Sequence, residues 1–437
     1  MPTIDNVIVS NQALKRTYAS DFEPIYKYVK TSMANAQSTT VTLTATGQTE
    51  VSFKIPHNSV FNLSRSRLAG TLNINAQSGT TKSVIHADTL PFQCSIYLQT
   101  ANSLNLSEST QAAKYMRIAN KLHTKVTDFL TNDDVGFCYP SNGTTNATAS
   151  GSAQTVAYLE SQYLEQSADD TAMARTFEVD VGVCTPDTLC ALDTDITIGQ
   201  NDVYLKLVID GFDKWTWNSG GGTLNNTPAV TISNCYLYMA VEQNDNLKSK
   251  VLSDFQSGGL KISTPFLLYN AQPLTGTSQN MIVTYLPNNG KVMRKIMHTV
   301  WNNTDTYENS MNCLNTGSYI TTYNTYLDDK KMQDDVVSND DYSAWRLNRI
   351  HCKDTPIFNQ GVYEKTWFHI ENLESAIGAK EYNETIPRKN IVSGLPLEKA
   401  LSYQFQSTSS GAGTYNHIVW AVVQRDLVIA PNDIVFV

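Results

Sequence analysis

Charge is scarce in this chain of 437 residues: only 17% are Asp, Glu, Lys or Arg, against about 25% in ordinary soluble domains. Basic residues are the scarcer sign. A net charge of −9 and a pI near 5.3 exclude general nucleic-acid binding, which needs a basic footprint to neutralise phosphates. Long apolar runs are missing too. The longest, such as Ile418 to Val423, covers about a third of the ~20 residues that cross a bilayer. The opening MPTIDNVIVSNQALKR lacks the basic start and long apolar centre of a signal peptide, so the chain is expected to stay out of the secretory route. Cysteine is sparse and irregular. Seven are present, with no CxxC pair, and Cys184 and Cys190 are the nearest neighbours. That spacing disfavours zinc sites and disulfide frameworks and favours reduced thiols packed as small hydrophobes. The Asn-x-Ser/Thr triplets at Asn62, Asn105, Asn142, Asn146, Asn225, Asn302 and Asn383 arise readily in a chain so rich in Asn, Ser and Thr.

Catalytic signatures are absent as well. There is no GxSxG elbow, P-loop, HExxH or GxGxxG segment. Cys352 follows His351, but a base that activates a thiol must converge from elsewhere in the fold. Gly220 to Gly222 and Gly411-Ala412-Gly413 read as strand-to-strand loops. The densest charge lies in YNTYLDDKKMQDDVVSNDDYSAW (323–345), with Asp328, Asp329, Asp334, Asp335, Asp340 and Asp341. A calcium loop needs alternating ligands, a central Gly and a terminal Glu. Adjacent aspartates diverge on a strand or a helix, and Lys330 and Lys331 compete for the charge. The segment therefore reads as solvated surface, with Ser338 to Asp341 as a helix start. The expectation is a protein that is not an enzyme and has no catalytic, metal or cofactor site.

What is present is strand chemistry. Twenty-two tyrosines with many Thr and Val favour strands over helices. TVTLTAT (40–46) and EVSFKIP (50–56) alternate at period two around Gly47 and predict a hairpin. LAGTLNI (68–74), CSIYLQ (94–99), TFEVDVGV (176–183), VYLKLVI (203–209) and AVTISNCYLYMAV (229–241) continue the series. LSESTQAAKYMRIANKL (106–122) fits a helix capped by Ser107 or Ser109. Residues 131–175 form a long polar insertion. After a polar, glycine-containing stretch at 242–263, strands return at PFLLYN, NMIVTYL (280–286), YITTYNTYL (319–327), TWFHI (366–370), ALSYQFQS (400–407) and YNHIVWAVVQ (415–424).

The order of features repeats. A strand ending Tyr97-Leu98 has its match in one ending Tyr326-Leu327, and YMAVEQ (238–243) closes the first half as VWAVVQ (419–424) closes the second. One β fold used twice is the expectation, over an arm at 1–38, a first unit at 39–245, a linker at 246–262 and a second unit at 263–437. The arm carries Lys15, Arg16, Phe22, Tyr26 and Lys27, expected to touch neighbouring subunits. Trp215 and Trp217 lie in a turn-rich loop, where packing over a sandwich end competes with sugar stacking.

These features resemble double jelly-roll major capsid proteins of the lineage that contains virophages, polinton-like viruses and adenovirus hexon. YLDDKKMQDD…DDYSAW looks like the family's strand–turn–helix segment, KTWFHIENL (365–373) is similar to its aromatic W-x-H-I strand, and GLPLEKALSYQF (394–405) resembles its Gly-x-x-Leu entry into a late strand. PFQCSIYLQTANSLNLSE resembles the first roll more loosely. The resemblance implies an all-β chain of two tandem eight-stranded jelly rolls with short helices in the loops. It also implies a structural protein that forms a homotrimeric, pseudo-hexameric capsomer and tiles an icosahedral shell around a DNA genome in the virion, assembled inside the host cell. Partners would be neighbouring capsomers and penton and minor capsid proteins, with no direct sequence-specific nucleic-acid binding; an internal membrane is left open. Lys15, Arg16, Phe22, Tyr26 and Lys27 would lie at the inner face or between capsomers, and Asn142, Asn146, Trp215 and Trp217 in exposed loops. A carbohydrate-binding or adhesive β-sandwich, stacking sugars on Trp215 and Trp217, is the alternative. A β-architecture glycoside hydrolase would need two carboxylates about 5 to 10 Å apart, and nothing in the sequence points to such a pair.

Overall fold

Alternating side chains become two sandwiches, each built from one half of the chain. The computed structural model describes residues 23–34, 39–76, 83–86, 90–116, 163–165, 172–218, 229–274, 277–302, 320–333, 335–338, 368–373, 394–409, 415–431 and 433–437. The principal strands of the first half are β1 (Tyr26–Thr31), β2 (Thr49–Lys54), β3 (Phe61–Ile74), β4 (Cys94–Thr100), β5 (Asn105–Ser109), β6 (Met173–Asp180), β7 (Val203–Ile209) and β8 (Val230–Glu242). After a helix α1 (Asp245–Gly258), the second half has β9 (Leu260–Leu274), β10 (Ser278–Tyr285), β11 (Val292–Asn302) and β12 (Ile320–Leu327). It closes with β13 (the short stretches Lys330–Lys331 and Val337–Ser338), β14 (Phe368–Asn372), β15 (Leu401–Ser409) and β16 (Tyr415–Ala430).

The two halves share one topology. In the first, one sheet runs β1-β8-β3-β6 and the facing sheet β2-β7-β4-β5; in the second the orders are β9-β16-β11-β14 and β10-β15-β12-β13. Each strand thus has its counterpart, β1 with β9 through to β8 with β16. The likeness extends to detail. Asp195–Ile196 pairs with the start of β3, as Leu395–Pro396 pairs with the start of β11. This is the jelly-roll arrangement, twice over. The expected pairs of features fall on matching strands: Tyr97-Leu98 on β4 and Tyr326-Leu327 on β12, YMAVEQ at the end of β8 and VWAVVQ within β16.

Burial follows the pleat. On β7, Val203, Leu205, Leu207 and Ile209 face inward and Tyr204, Lys206 and Val208 outward; each buried aliphatic side chain contributes about 1.5–3 kcal/mol. Gly70 on β3 makes room for its cross-strand partner on β6: a Cβ there would sit 2.8 Å from the Phe177 ring. β16 departs from alternation: Ile418, Val419, Trp420, Ala421, Val422 and Val423 are all buried, because one face of its sheet lines its own core and the other packs on the first roll.

Four local expectations are corrected. Residues 26–31 are not part of a detached arm. They are the edge strand β1, paired with β8 from Tyr26↔Glu242 to Thr31↔Leu237. The stretches at 40–46 and 50–56 do not form a hairpin: Val41–Thr42 pairs with β8 and β2 pairs with β7, so the chain crosses between sheets at a corner where the Thr44 hydroxyl donates to the Gly47 carbonyl (2.7 Å). Ser107 and Ser109 sit in β5, and helix begins only at 112, since pairing with β4 claims their backbone. The expected linker is largely α1. Asn244 caps it by accepting from the Asn246 and Leu247 amides, and Gly259 ends it at φ 83°.

α1 carries the chain from the end of β8 to the start of β9. At this end Asn201 Nδ2 donates to the Ala430 carbonyl (3.1 Å). Toward the opposite end Trp420 Nε1 donates to the Thr110 carbonyl (3.1 Å). The rolls therefore stand side by side with the same polarity. Connections after β1, β3, β5 and β7, and after β9, β11, β13 and β15, all leave from that opposite end. There Ser83–His86 pairs with both Thr216–Asn218 and Tyr163–Glu165 in a third small sheet.

Glu242, fully buried at the end of β8, ties the first strand down. Its Oε1 accepts from the amides of Ile25, Gln243 and Asn244 at 2.9, 3.0 and 2.9 Å. Glu242→Ala strands three donors, so about 3 kcal/mol of stability is expected to be lost, with early proteolytic release of the segment before β2. Glu242→Gln, which keeps an acceptor oxygen, is expected to cost about 1 kcal/mol. Limited proteolysis and urea titration check both; equal effects of the two changes would discard this role.

Candidate functional site

The aspartate-rich segment resolves into a turn. Asp328 and Asp329 take positive φ angles of 47° and 64°, a conformation that Asp tolerates better than most residues, and reverse the chain from β12 into β13. The Asp328 amide donates to the Ser402 carbonyl (2.9 Å), and its Oδ1 accepts from the Ser402 amide (2.9 Å). Ser338 lies in a strand rather than at a helix start; Asp334, Asp340 and Asp341 lie outside the described residues. No group of His, Cys, Asp or Glu among the described residues converges as a metal site. Cys94, Cys184, Cys190 and Cys235 are buried, and desolvation pushes Cys190 up to about 11 and Cys235 to about 12, so they are inert thiols.

Trp215 is not in an exposed loop. It is 1% exposed, donates Nε1–H to the Asp210 carbonyl (2.9 Å) and meets the Phe92 ring edge-on at 6.4 Å, closing one end of the first core. The side chain of Trp217, and Asn142, Asn146, Lys15, Arg16 and Phe22, lie outside the described residues. Tyr26 donates its hydroxyl to Asp195 (2.7 Å) and Lys27 is solvent-facing, both on β1.

Two arrangements stand out among the described side chains. The first joins the rolls. Trp420, on the outer face of the β9-β16-β11-β14 sheet, meets the rings of Tyr115 (5.4 Å) and Tyr269 (6.2 Å). Asp187, in the turn after β6, receives the Tyr115 hydroxyl (2.5 Å) and the Lys295 ammonium (2.6 Å). Burial, and then the charge of Asp187, raises the Tyr115 phenol well above its usual range, which keeps it a donor. A large aromatic anchor with a small polar fringe is the composition of an interface core, here within one chain.

The second lies inside the second roll and spans its two sheets. His298 of β11 places Nδ1 3.0 Å from Nε2 of His417 on β16, and Nε2 2.7 Å from the Tyr403 hydroxyl on β15. The two imidazoles are within 15° of coplanar, with centroids 5.1 Å apart, the geometry of an N–H···N bond rather than of two lone pairs converging on a metal. His369 and Glu371 of β14 bond at 2.9 Å. Glu371 also takes the Thr325 hydroxyl of β12 and Gln333 Nε2 (2.9 Å). Phe405 and Tyr323 pack on the imidazoles. Burial first, then the neighbouring histidines, holds His298 well below the usual histidine range; burial and His369 hold His417 at about 3. Burial alone would raise Glu371, but His369, Thr325 and Gln333 keep it below the ordinary glutamate value. Such a network orders a core; it offers no open position to a substrate. Sequence reasoning touched only His369, through W-x-H-I; His298 and His417 lie on separate strands with no shared spacing to reveal them.

No protein-family model matches this chain, and no curated protein matches it in sequence. Solved structures do match along nearly its whole length. The Faustovirus major capsid protein superposes with a TM-score of 0.58 at 10% identity, over 98% of this chain and 98% of that one. The PBCV-1 virus capsid chain gives 0.57 at 8%, over 97% and 99%. The Sputnik virophage structure gives 0.56 at 11%, over 97% and 90%. At such identities the likeness is one of fold: this chain has the double jelly roll found in major capsid proteins.

The histidine network sets a pH dependence. Below about pH 6.5, the ordinary histidine value, an unfolded chain protonates both imidazoles while the folded one keeps them neutral. Stability therefore falls as pH drops from about 6.5 toward about 3, by about 1.4 kcal/mol per pH unit for each histidine. Near pH 5 the two together cost about 4 kcal/mol. Glu371 acts in the same direction, in the lower window beneath its ordinary value of 4.5. Urea unfolding at pH 7.5, 6 and 5 is expected to show this slope, and His417→Leu to reduce it by about half. A stability flat from pH 7.5 to 5 would contradict the assignment.

Proposed function

We propose that the protein is a major capsid protein, whose work is to build a viral shell. The observation that carries this reading is end-to-end agreement in fold with capsid chains of nearly equal length, in a chain whose two halves share one topology. Two like rolls of the same polarity, side by side, supply two of the six positions of a pseudo-hexagonal unit. Three copies about a threefold axis supply the rest. The capsomer is then a homotrimer that tiles an icosahedral shell of the virion around a DNA genome, contacting neighbouring capsomers and penton and minor capsid proteins. A non-enzymatic role fits a second core whose His298, His417 and Tyr403, and whose His369 and Glu371, bond to one another away from solvent. The long connections at one end suit the outer side of the shell, and Lys15, Arg16 and Phe22, preceding the edge strand, suit contacts beneath it or between capsomers. The sugar-binding alternative loses its footing with the burial of Trp215.

Light scattering on the purified protein is expected to give a mass of about three chains that persists on dilution, and negative-stain images are expected to show pseudo-hexagonal particles. A stable monomer at high concentration would refute the capsomer.

A further inference from the structure

The surface that roll packing buries in the second half has a counterpart in the first half, and no other part of the described chain covers it. Sheet register identifies the matching positions. In both rolls the strand pair β3–β8 or β11–β16 is interrupted by a bulge just after the short bridge made by Asp195–Ile196 or Leu395–Pro396. Beyond the bulge, Arg67↔Tyr238 and Ala69↔Tyr236 in the first roll occupy the places of Lys295↔Val422 and Met297↔Trp420 in the second. On the edge strands, Lys30 pairs with Tyr238 as Leu267 pairs with Val422.

The two faces differ in what lies over them. Val422, Met297, Trp420 and Leu267 are buried beneath the first roll. Their counterparts Tyr238 and Tyr236 are half-exposed and Lys30 exposed, with Tyr28 beside them 44% exposed. Cations stand over these rings: Lys30 Nζ is 3.5 Å from the Tyr236 centroid, and the Arg67 guanidinium 5.0 Å from that of Tyr28. Stacked tyrosines and cations are the composition of an interface anchor.

The element that does the covering also recurs. The first roll reaches the second with its β4–β5 edge and the segment after it, through Thr110 and Tyr115, and brings acid to base: Asp187 to Lys295, and Glu108 near Arg425. The matching edge of the second roll is β12–β13. It presents Met332 and Val336, 41% and 55% exposed, together with Asp329 and Asp335. Again an edge with apolar tips matches a ring-bearing face; here both carry mixed charge, Lys330 and Lys331 beside the aspartates on the edge, and Arg67 paired with Glu178 and Asp180 on the face.

We infer that the Tyr28–Tyr236–Tyr238 face of the first roll, with Lys30 and Arg67, is the docking site for the β12–β13 edge of a second copy of this chain. The contact repeats between molecules the one that joins the two rolls within a molecule. It rests on the capsomer reading and deepens it by naming the two surfaces. It also gives the aspartate-rich turn its role: Asp329 and Asp335 reach across the boundary to Lys30, while Arg67 stays paired with Glu178 and Asp180. A heterologous contact of this kind, applied at every roll, closes into a ring of six when each step turns by about 60°.

The test mixes isotopically light and heavy protein and treats it with an amine-reactive cross-linker. Light–heavy links from Lys27 or Lys30 to Lys330 or Lys331 are expected. Tyr236→Glu with Tyr238→Glu, both on the outer face, is expected to reduce the solution mass about threefold, to a single chain, while circular dichroism keeps the β signature. Tyr204→Glu, on the outward face of β7, is expected to leave the mass unchanged. A trimer that yields no such links, or that survives the double change, overturns this interface while leaving the capsomer standing. An unmutated protein that stays monomeric overturns both. The links are read on unmutated protein, so a misfolded variant does not remove the test.

Discussion

The structure depends on burying both faces of one sheet. In a two-layer sandwich an antiparallel sheet ordinarily keeps one face wet, and its strands alternate. The β9-β16-β11 sheet does not: one face lines the second core and the other carries Trp420, Met297 and Val422 against the first roll. The apolar run from Ile418 to Val423 is the direct consequence, for no position in it meets water. So is the ion pair of Lys295 with Asp187, which brings its ammonium a partner inside the contact. The two rolls consequently share a continuous hydrophobic core and are not beads on a string. Fully burying an indole and its neighbours outweighs the exposed ion pairs elsewhere on the chain, each worth ~0–1 kcal/mol.

Much of the strand content was legible because alternation records which side of a sheet is wet. β7, β10 and β15 could be read almost residue by residue. Errors occurred where local pattern and tertiary role part. β1 resembles an arm in sequence because its Tyr and Lys residues face solvent on an edge, so its alternation carries little hydrophobic contrast. The corner at Thr44 to Gly47 looks like a hairpin turn, since Gly marks any sharp reversal, and only pairing with distant β7 and β8 distinguishes the two. α1 was missed because it rests on the fold through little more than Leu247 and Phe255, too few to stand out in a polar stretch. At the level of sites, the paired aspartates are legible as punctuation: Asp328 and Asp329 form a left-handed turn, while Ser338, expected to start a helix, lies in a strand. The histidine network was not legible at all. Its members sit on five strands, and only the register brings them together.

The network also distinguishes two rolls that topology makes alike. At the matching level the first core is apolar, with Leu72, Phe177 and Ile232 around Gly70, whereas the second holds His298, His369, His417 and Glu371. A buried polar set is stable only when its partners are all in register. A β-strand of the first roll inserted into the second would leave imidazoles or a carboxylate unmatched. Duplicated folds are prone to exchanging equivalent strands, and different core chemistry opposes that exchange in a way that sheet topology alone cannot.

Sheet edges add a further constraint. β5 and β13 end their sheets, and an uncovered edge invites unwanted pairing. In the first roll the problem is solved internally, because the second roll's sheet covers the edge. In the second roll the edge is broken into two short stretches by a bend, and it carries Asp329, Lys330, Lys331 and Asp335. Such an edge cannot extend a neighbour's sheet, but it can lie across a face. Tandem rolls then have an advantage over single ones. In the proposed ring of six rolls from three chains, half of the edge-to-face contacts would form within a molecule, where the effective concentration of one roll for the other is high. Only three bodies must lose their freedom of movement instead of six. The geometry that joins the halves of one chain would thereby also set the angle at which the next chain arrives.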